Sequence, residues 1–257
     1  MTAPPPVIYG PLDRVEHIMG MPIGIEIHDP EIDPQTLDAA FAWFRWVDAT
    51  FSTYKADSEI SRLNRGELTL ADAHPEVRAV LARCQELSEE TEGYFDIRVP
   101  FLRGVIDPSG LVKGWSVERA GQILAEAGAH NYAINAGGDI IVRGHPPGAD
   151  IWRIGIKHPF EHDYVAAVVG ATNGAVATSA TYERGQHIFN PHTGGLPTDV
   201  LSVSITGPDL GTADAYATAV FAMGQDGPTW VATLTDYEAM IILDTRTVLT
   251  TAGFSQV

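Results

Sequence analysis

Cysteine is almost missing from this chain: Cys84 is the single one in 257 residues. That excludes an intrachain disulfide and a cysteine-rich metal site. No apolar run approaches the length that crosses a bilayer, so no membrane span is expected. The opening Met1-Thr2-Ala3-Pro4-Pro5-Pro6 lacks both a basic segment and an apolar one, so it does not read as a secretory signal, and a cytoplasmic location is the expectation. Basic residues are scarce as well, 16 against 33 acidic ones, for a formal net charge of −17. Such a surface repels nucleic acid and anionic lipid, and no nucleic-acid partner is expected. Any phosphate ligand then needs a metal, a local basic side chain or backbone N–H groups to offset the field.

What is present suits a packed globular core. Apolar residues make up 45% and charged residues 19%. Residues 1–14, rich in proline at their start, read as a tail, and 15–257 as one domain. A strand is expected at Gly24–His28. Leu37, Phe41, Phe44 and Val47 recur at helical spacing over 36–51, with Trp43 and Trp46 beside them as packing residues. Pro75 opens a second helix whose buried stripe includes Cys84, read as a small core residue, and Gly93 follows its end. A third helix is expected from about Trp115 to Ala127 and a fourth from Thr212 to Met223. Strands are expected at 132–135, 152–157, 165–169, 201–206 and 239–244. Helices and strands mix without strict alternation, which predicts an α+β fold with two interleaved subdomains rather than a doubly wound sheet.

Five segments are too polar or too glycine-rich for these surroundings. In 51–64, Tyr54 could stack on a planar ring, while Asp57 or Ser58 could simply cap a short helix. Gly93-Tyr94-Phe95-Asp96 places two aromatics and an acid after a helix, suited to a ligand pocket or to the core. Asp107-Pro108-Ser109-Gly110-Leu111-Val112-Lys113-Gly114 precedes a helix; its backbone and Lys113 suit an anion, though the pattern is no standard phosphate loop. Asn135-Ala136-Gly137-Gly138-Asp139 permits either a hairpin or close approach to a ligand. Last come His187-Ile188-Phe189-Asn190-Pro191-His192-Thr193-Gly194 and Ala213-Asp214-Ala215-Tyr216-Ala217-Thr218. Asp214 and Thr218, four apart, share a helix face and could both offer oxygen to a hard cation.

Taken together and in this order, these segments resemble the ApbE family of FAD:protein FMN transferases, from Met19-Gly20 to about Gly224. The resemblance implies mixed, largely antiparallel sheets. It implies flavin contacts at Met19 and Tyr54, with Tyr54 against the ring system, and further FAD contacts at Tyr94, Phe95, Asp96, Asp107, Lys113 and Ile188. It implies Mg²⁺ held by the Gly110 carbonyl, Asp214 and Thr218, with Ala217 adding its backbone. The implied reaction is attack by a Ser or Thr hydroxyl of an acceptor flavoprotein on the FMN phosphorus of FAD, with AMP leaving. His187 is the expected general base. The same residues would also serve an Mg²⁺-dependent FAD pyrophosphatase, or a non-catalytic FAD-binding protein. Two positions depart from the family pattern. Asn190 stands where an Asp is common, which puts a local hydrogen bond in doubt, and Val112 stands where a small residue precedes the lysine, which is expected to narrow the loop.

Overall fold

The computed structural model describes residues 11–99, 102, 104–161, 164–180 and 188–257. Ten strands are found among them: β1 Leu12–Ile18, β2 Met21–Ile27, β3 Tyr132–Ala136, β4 Asp139–Arg143, β5 Trp152–Lys157, β6 Val165–Ala171, β7 Gly174–Ala180, β8 Val200–Gly207, β9 Glu238–Leu243 and β10 Val248–Thr250. The helices are α1 Gln35–Phe51, α2 Glu59–Asn64, α3 Pro75–Glu90, α4 Ser109–Glu126, α5 Leu210–Met223 and α6 Gly227–Val231. Eight strands form one sheet in the order β1-β2-β3-β4-β7-β8-β9-β10, and β5 pairs with β6 in a separate hairpin. Every pairing is antiparallel, so the chain has the expected α+β class.

The central strands read apolar on both faces because both are covered. Ile134 of β3, Ile141 of β4, Ala175 and Ala177 of β7, and Ile241 of β9 join the core beneath α1, α3, α4 and α5. Their alternating neighbours Ala133, Val142, Val176, Met240 and Ile242 point the other way, onto Trp152, Ile154 and Val169 of the β5–β6 hairpin. Large side chains such as Phe41, Phe44, Leu124 and Leu210 are wholly buried in the first core, each contributing roughly 1.5–3 kcal/mol by leaving water. No helix among the described residues is long and apolar enough to cross a membrane.

Several boundaries differ from the sequence reading. Strand β1 starts at Leu12, inside the stretch assigned to the tail; along this outer strand exposed and half-buried residues alternate, but the half-buried ones include the polar Arg14 and Glu16 while the apolar Val15 is exposed, so no apolar alternation marks it. Strands β1, β4, β7 and β10 have no counterpart in the sequence reading. Helix α4 begins at Ser109 rather than Trp115, so the predicted glycine loop is its first turns. Gly110 and Gly114 are poor helix formers, but tertiary packing overrides that preference. A Cβ on Gly114 would lie 2.5 Å from the Leu210 carbonyl oxygen, and one on Gly211 would lie 3.2 Å from the Trp115 nitrogen. The two glycines therefore let α4 and α5 cross nearly backbone to backbone.

Candidate active site

Helix α5 reads as an interior helix. All of its residues except Thr218 are buried, and Asp214 is its single charged group. Asp209 starts it by accepting from Thr212 N at 2.7 Å. Glu118 of α4 accepts from Leu210 N at 2.8 Å and pairs with Arg143 of β4 at 2.9 Å. Burial pushes the Glu118 carboxyl above its ordinary range, although Arg143 and the Leu210 N–H pull it back. This bracket fixes the start of α5 against α4 and the sheet. Sequence reasoning missed it, since a glutamate inside an amphipathic helix carries no signal of its own.

At the crossing, Lys113 Nζ lies 2.6 Å from Asp139 Oδ2 and 3.7 Å from Asp214 Oδ1. Asp214 Oδ2 also accepts from Gly114 N at 3.3 Å. Asp139, at the head of β4, accepts from Thr178 N at 3.0 Å through Oδ1. Thr218 Oγ1 is 3.5 Å from Ser179 Oγ. Gly110 faces this cluster, since a Cβ there would sit 3.5 Å from Thr218 Oγ1 and 3.1 Å from the Phe95 ring. The structure thus brings Gly110, Lys113, Asp214 and Thr218 to one place, with Asp139 among them. Ala217 is fully buried inside α5, where backbone carbonyls belong to the helix's own ladder.

A cavity of about 380 Å³ opens beside this cluster, lined by Met19, Met21, Phe51, Tyr54, Asp107 and Lys113 among others. Its volume falls within the roughly 300–1,000 Å³ usual for small-molecule sites. One wall is the two-residue turn between β1 and β2. Met19 has φ 53° and Gly20 φ 75°, the pattern of a type I′ hairpin turn. A left-handed backbone at Met19 costs about 1–2 kcal/mol, a strain of the kind that collects at ligand sites. Tyr54 is 99% exposed at the rim. Its loop is held by Ser58, whose Oγ donates to Ser52 O at 2.5 Å and caps α2 by accepting from Ser61 N at 3.0 Å. Ser58, not Asp57, is therefore the cap. Asp107 accepts from Ser109 N at 3.0 Å and begins α4. Val112 also lines the cavity, from the body of α4 and not from a loop.

The 93–96 segment stands at the other side of Gly110. Phe95 is buried against it, with its N–H donating to Thr91 Oγ1 at 3.0 Å. Asp96 pairs with Arg98 at 2.7 Å. Tyr94 meets His192 edge to face at 4.5 Å, and the His192 ring lies 3.0 Å from Glu92 O through Nε2. Asn190 Oδ1 accepts from His192 N at 2.9 Å and Thr193 N at 3.1 Å. These bonds need only a carbonyl-type oxygen, which an Asn side chain provides as an Asp would. Ile188 packs half-buried against the main core. His187 lies outside the described residues.

The donor set fits a small hard cation. Asp214 and Thr218 offer oxygen only; the Gly110 carbonyl also lies within a helix, but its ladder partner Gly114 N is shared with Asp214 Oδ2, and no cluster of three or more His, Cys, Asp or Glu occurs among the described residues. Mg²⁺ is typically held by one or two carboxylates together with substrate phosphates rather than by an all-protein cage.

Fold and site define an α+β protein with a cavity that reaches Lys113, at a charged crossing of two glycine-bearing helices. The chain belongs to the ApbE family, whose sequence model matches residues 19–104 and 102–241. It is 25% identical over 302 residues to the FAD:protein FMN transferase of Haemophilus influenzae, an alignment covering 90% of this chain and 87% of that protein. An ApbE protein from Thermotoga maritima has the same fold, with a TM-score of 0.84, 24% identity, and coverage of 95% of this chain and 98% of that one. The flavin transferase ApbE from Vibrio cholerae matches with a TM-score of 0.84 and 22% identity over the same shares of each chain.

Proposed function

We propose that this chain transfers the FMN half of FAD to a Ser or Thr hydroxyl of another protein and releases AMP. The observation that carries this is the cavity's closure on Lys113, itself placed beside Asp139 and Asp214. A flavin ring would rest between Met19 and Tyr54, and Tyr94 and Phe95 would flank the path from the ring to the phosphates. Lys113 would bind the pyrophosphate, which an otherwise acidic protein would repel. Asp214, Thr218 and Gly110 would hold Mg²⁺, which when bound would supply positive charge against the negative charge building on the phosphate oxygens.

In the reaction the acceptor oxygen forms a bond to the FMN phosphorus. The bond from that phosphorus to the bridging oxygen breaks, and AMP leaves with the electron pair. The hydroxyl proton passes to a base, for which His187 is the residue proposed. The Tyr94–His192 contact ties the 93–96 segment to the loop at 190–194, which orients Tyr94.

The test is AMP release from FAD in the presence of Mg²⁺, followed by chromatography with and without an acceptor flavoprotein. Release that depends on the acceptor supports transfer. Release of AMP and free FMN without any acceptor would replace it with hydrolysis. FAD that binds and stays whole under both conditions would overturn both in favour of a binding protein.

A further inference from the structure

Asp139 carries no role in the reading so far, yet its placement is specific. Its side chain is 1% exposed, Oδ1 is committed to Thr178 N at 3.0 Å, and Oδ2 lies 2.6 Å from Lys113 Nζ. The same ammonium stands 3.7 Å from Asp214 Oδ1. Two buried carboxylates thus share one cation, and the nearer stands on β4 rather than on α5, the helix that carries Asp214 and Thr218. The Thr178 bond fixes Asp139 to the sheet, so Lys113 is held more closely from the β4 side than from α5.

We propose that Asp139 is a positioning residue that holds the Lys113 ammonium back from Asp214. It does so on behalf of the metal site read above at Asp214, Thr218 and Gly110, and the inference rests on that reading. If Lys113 closed on Asp214 it would compete directly with a divalent cation for the same carboxylate. Asp139 also contributes the second negative charge that leaves the three groups with a net negative balance, the condition under which a divalent cation is attracted despite the lysine. Replacing Asp139 with Asn removes that charge and frees Lys113 to swing to Asp214. Removing Lys113 as well takes away the competitor and restores the balance.

The experiment is titration of the intact protein with Mn²⁺, followed by electron paramagnetic resonance, with folding checked by circular dichroism. Asp139→Asn keeps an oxygen for Thr178 N, and is expected to bind Mn²⁺ on the order of tenfold more weakly than the unmodified chain. Asp139→Asn combined with Lys113→Met is expected to recover most of that affinity. Asp139→Glu, which keeps the charge, is expected to stay near the unmodified chain, so the inference does not hang on one variant. Equal Mn²⁺ binding by Asp139→Asn overturns the inference and leaves the metal-site reading standing. A double variant as weak as Asp139→Asn assigns Asp139 a merely structural part and also overturns it. Mn²⁺ binding that is indifferent to Asp214→Ala removes the metal-site reading and the inference together.

Discussion

Lys113 and Asp139 form a buried ion pair, 2.6 Å apart, that joins helix α4 to the head of strand β4. The lysine side chain is 17% exposed and the carboxylate 1%. Removing one member of such a pair strands the other in a poorly solvated site, at a cost of about 3–5 kcal/mol. Lys113→Met is therefore expected to lower the midpoint of denaturant unfolding markedly. Adding Asp139→Asn to it is expected to recover much of the loss, since the carboxylate nearest the lysine is then neutral and only the longer 3.7 Å contact with Asp214 is lost. An unchanged midpoint in Lys113→Met would show that the pair does not hold the two elements together.

Gly114 and the Leu210 carbonyl define how closely α4 and α5 approach. A methyl group at 114 would stand 2.5 Å from that oxygen, which is backbone and cannot rotate away. Gly114→Ala is expected to destabilise the fold by about 1–3 kcal/mol, as overpacking does, despite alanine's better helix propensity. It is also expected to weaken metal binding, because the shift separates Gly110 and Lys113 from Asp214 and Thr218. Thermal unfolding and Mn²⁺ titration check both; a stabilised variant would show that the crossing has room to spare.

Burial pushes the Cys84 thiol up to about 12 from an ordinary 9.0, with nearby Arg83 pulling slightly the other way. Its folded value is raised, so the stability it contributes is fully present below about pH 9 and is lost as the pH rises towards about 12. Tyr237, half-buried and pushed up to about 12 by partial burial, adds to the same alkaline loss. Cys84→Ala is expected to flatten the fall in unfolding free energy over this range. A thiol reagent at pH 8 is expected to leave Cys84 untouched until denaturant is added; rapid reaction with the native protein would contradict its buried placement.

The sequence was most legible where a single physical period dominates. The α1 stripe of Leu37, Phe41, Phe44 and Val47 lies within one residue of its expected start, and the strand at 152–157 has its expected bounds. It was least legible where long-range packing sets the outcome. Glycines 110 and 114 suggested a loop, and only the partner helix explains why they are helical. Asp139 stood in a glycine-rich turn whose hairpin reading proved correct, but nothing in the turn indicated that its carboxylate would meet Lys113. Asp214 was easier to suspect: an acid within the apolar helix Leu210–Met223 must find partners or hold a cation. The strain at Met19 was invisible, because a left-handed methionine is no part of any propensity scale.

The central claim is that the crossing of α4 and α5 cleaves FAD and passes its FMN half to a protein. Intact-mass spectrometry of an acceptor flavoprotein tests it most directly, after incubation with FAD, Mg²⁺ and either the unmodified chain or Asp214→Ala. The account predicts an acceptor mass gain equal to bound FMN with the unmodified chain. It predicts a rate lower by roughly two orders of magnitude or more with Asp214→Ala, whose fold stays intact. An acceptor labelled equally fast by both proteins would contradict the assignment of the site.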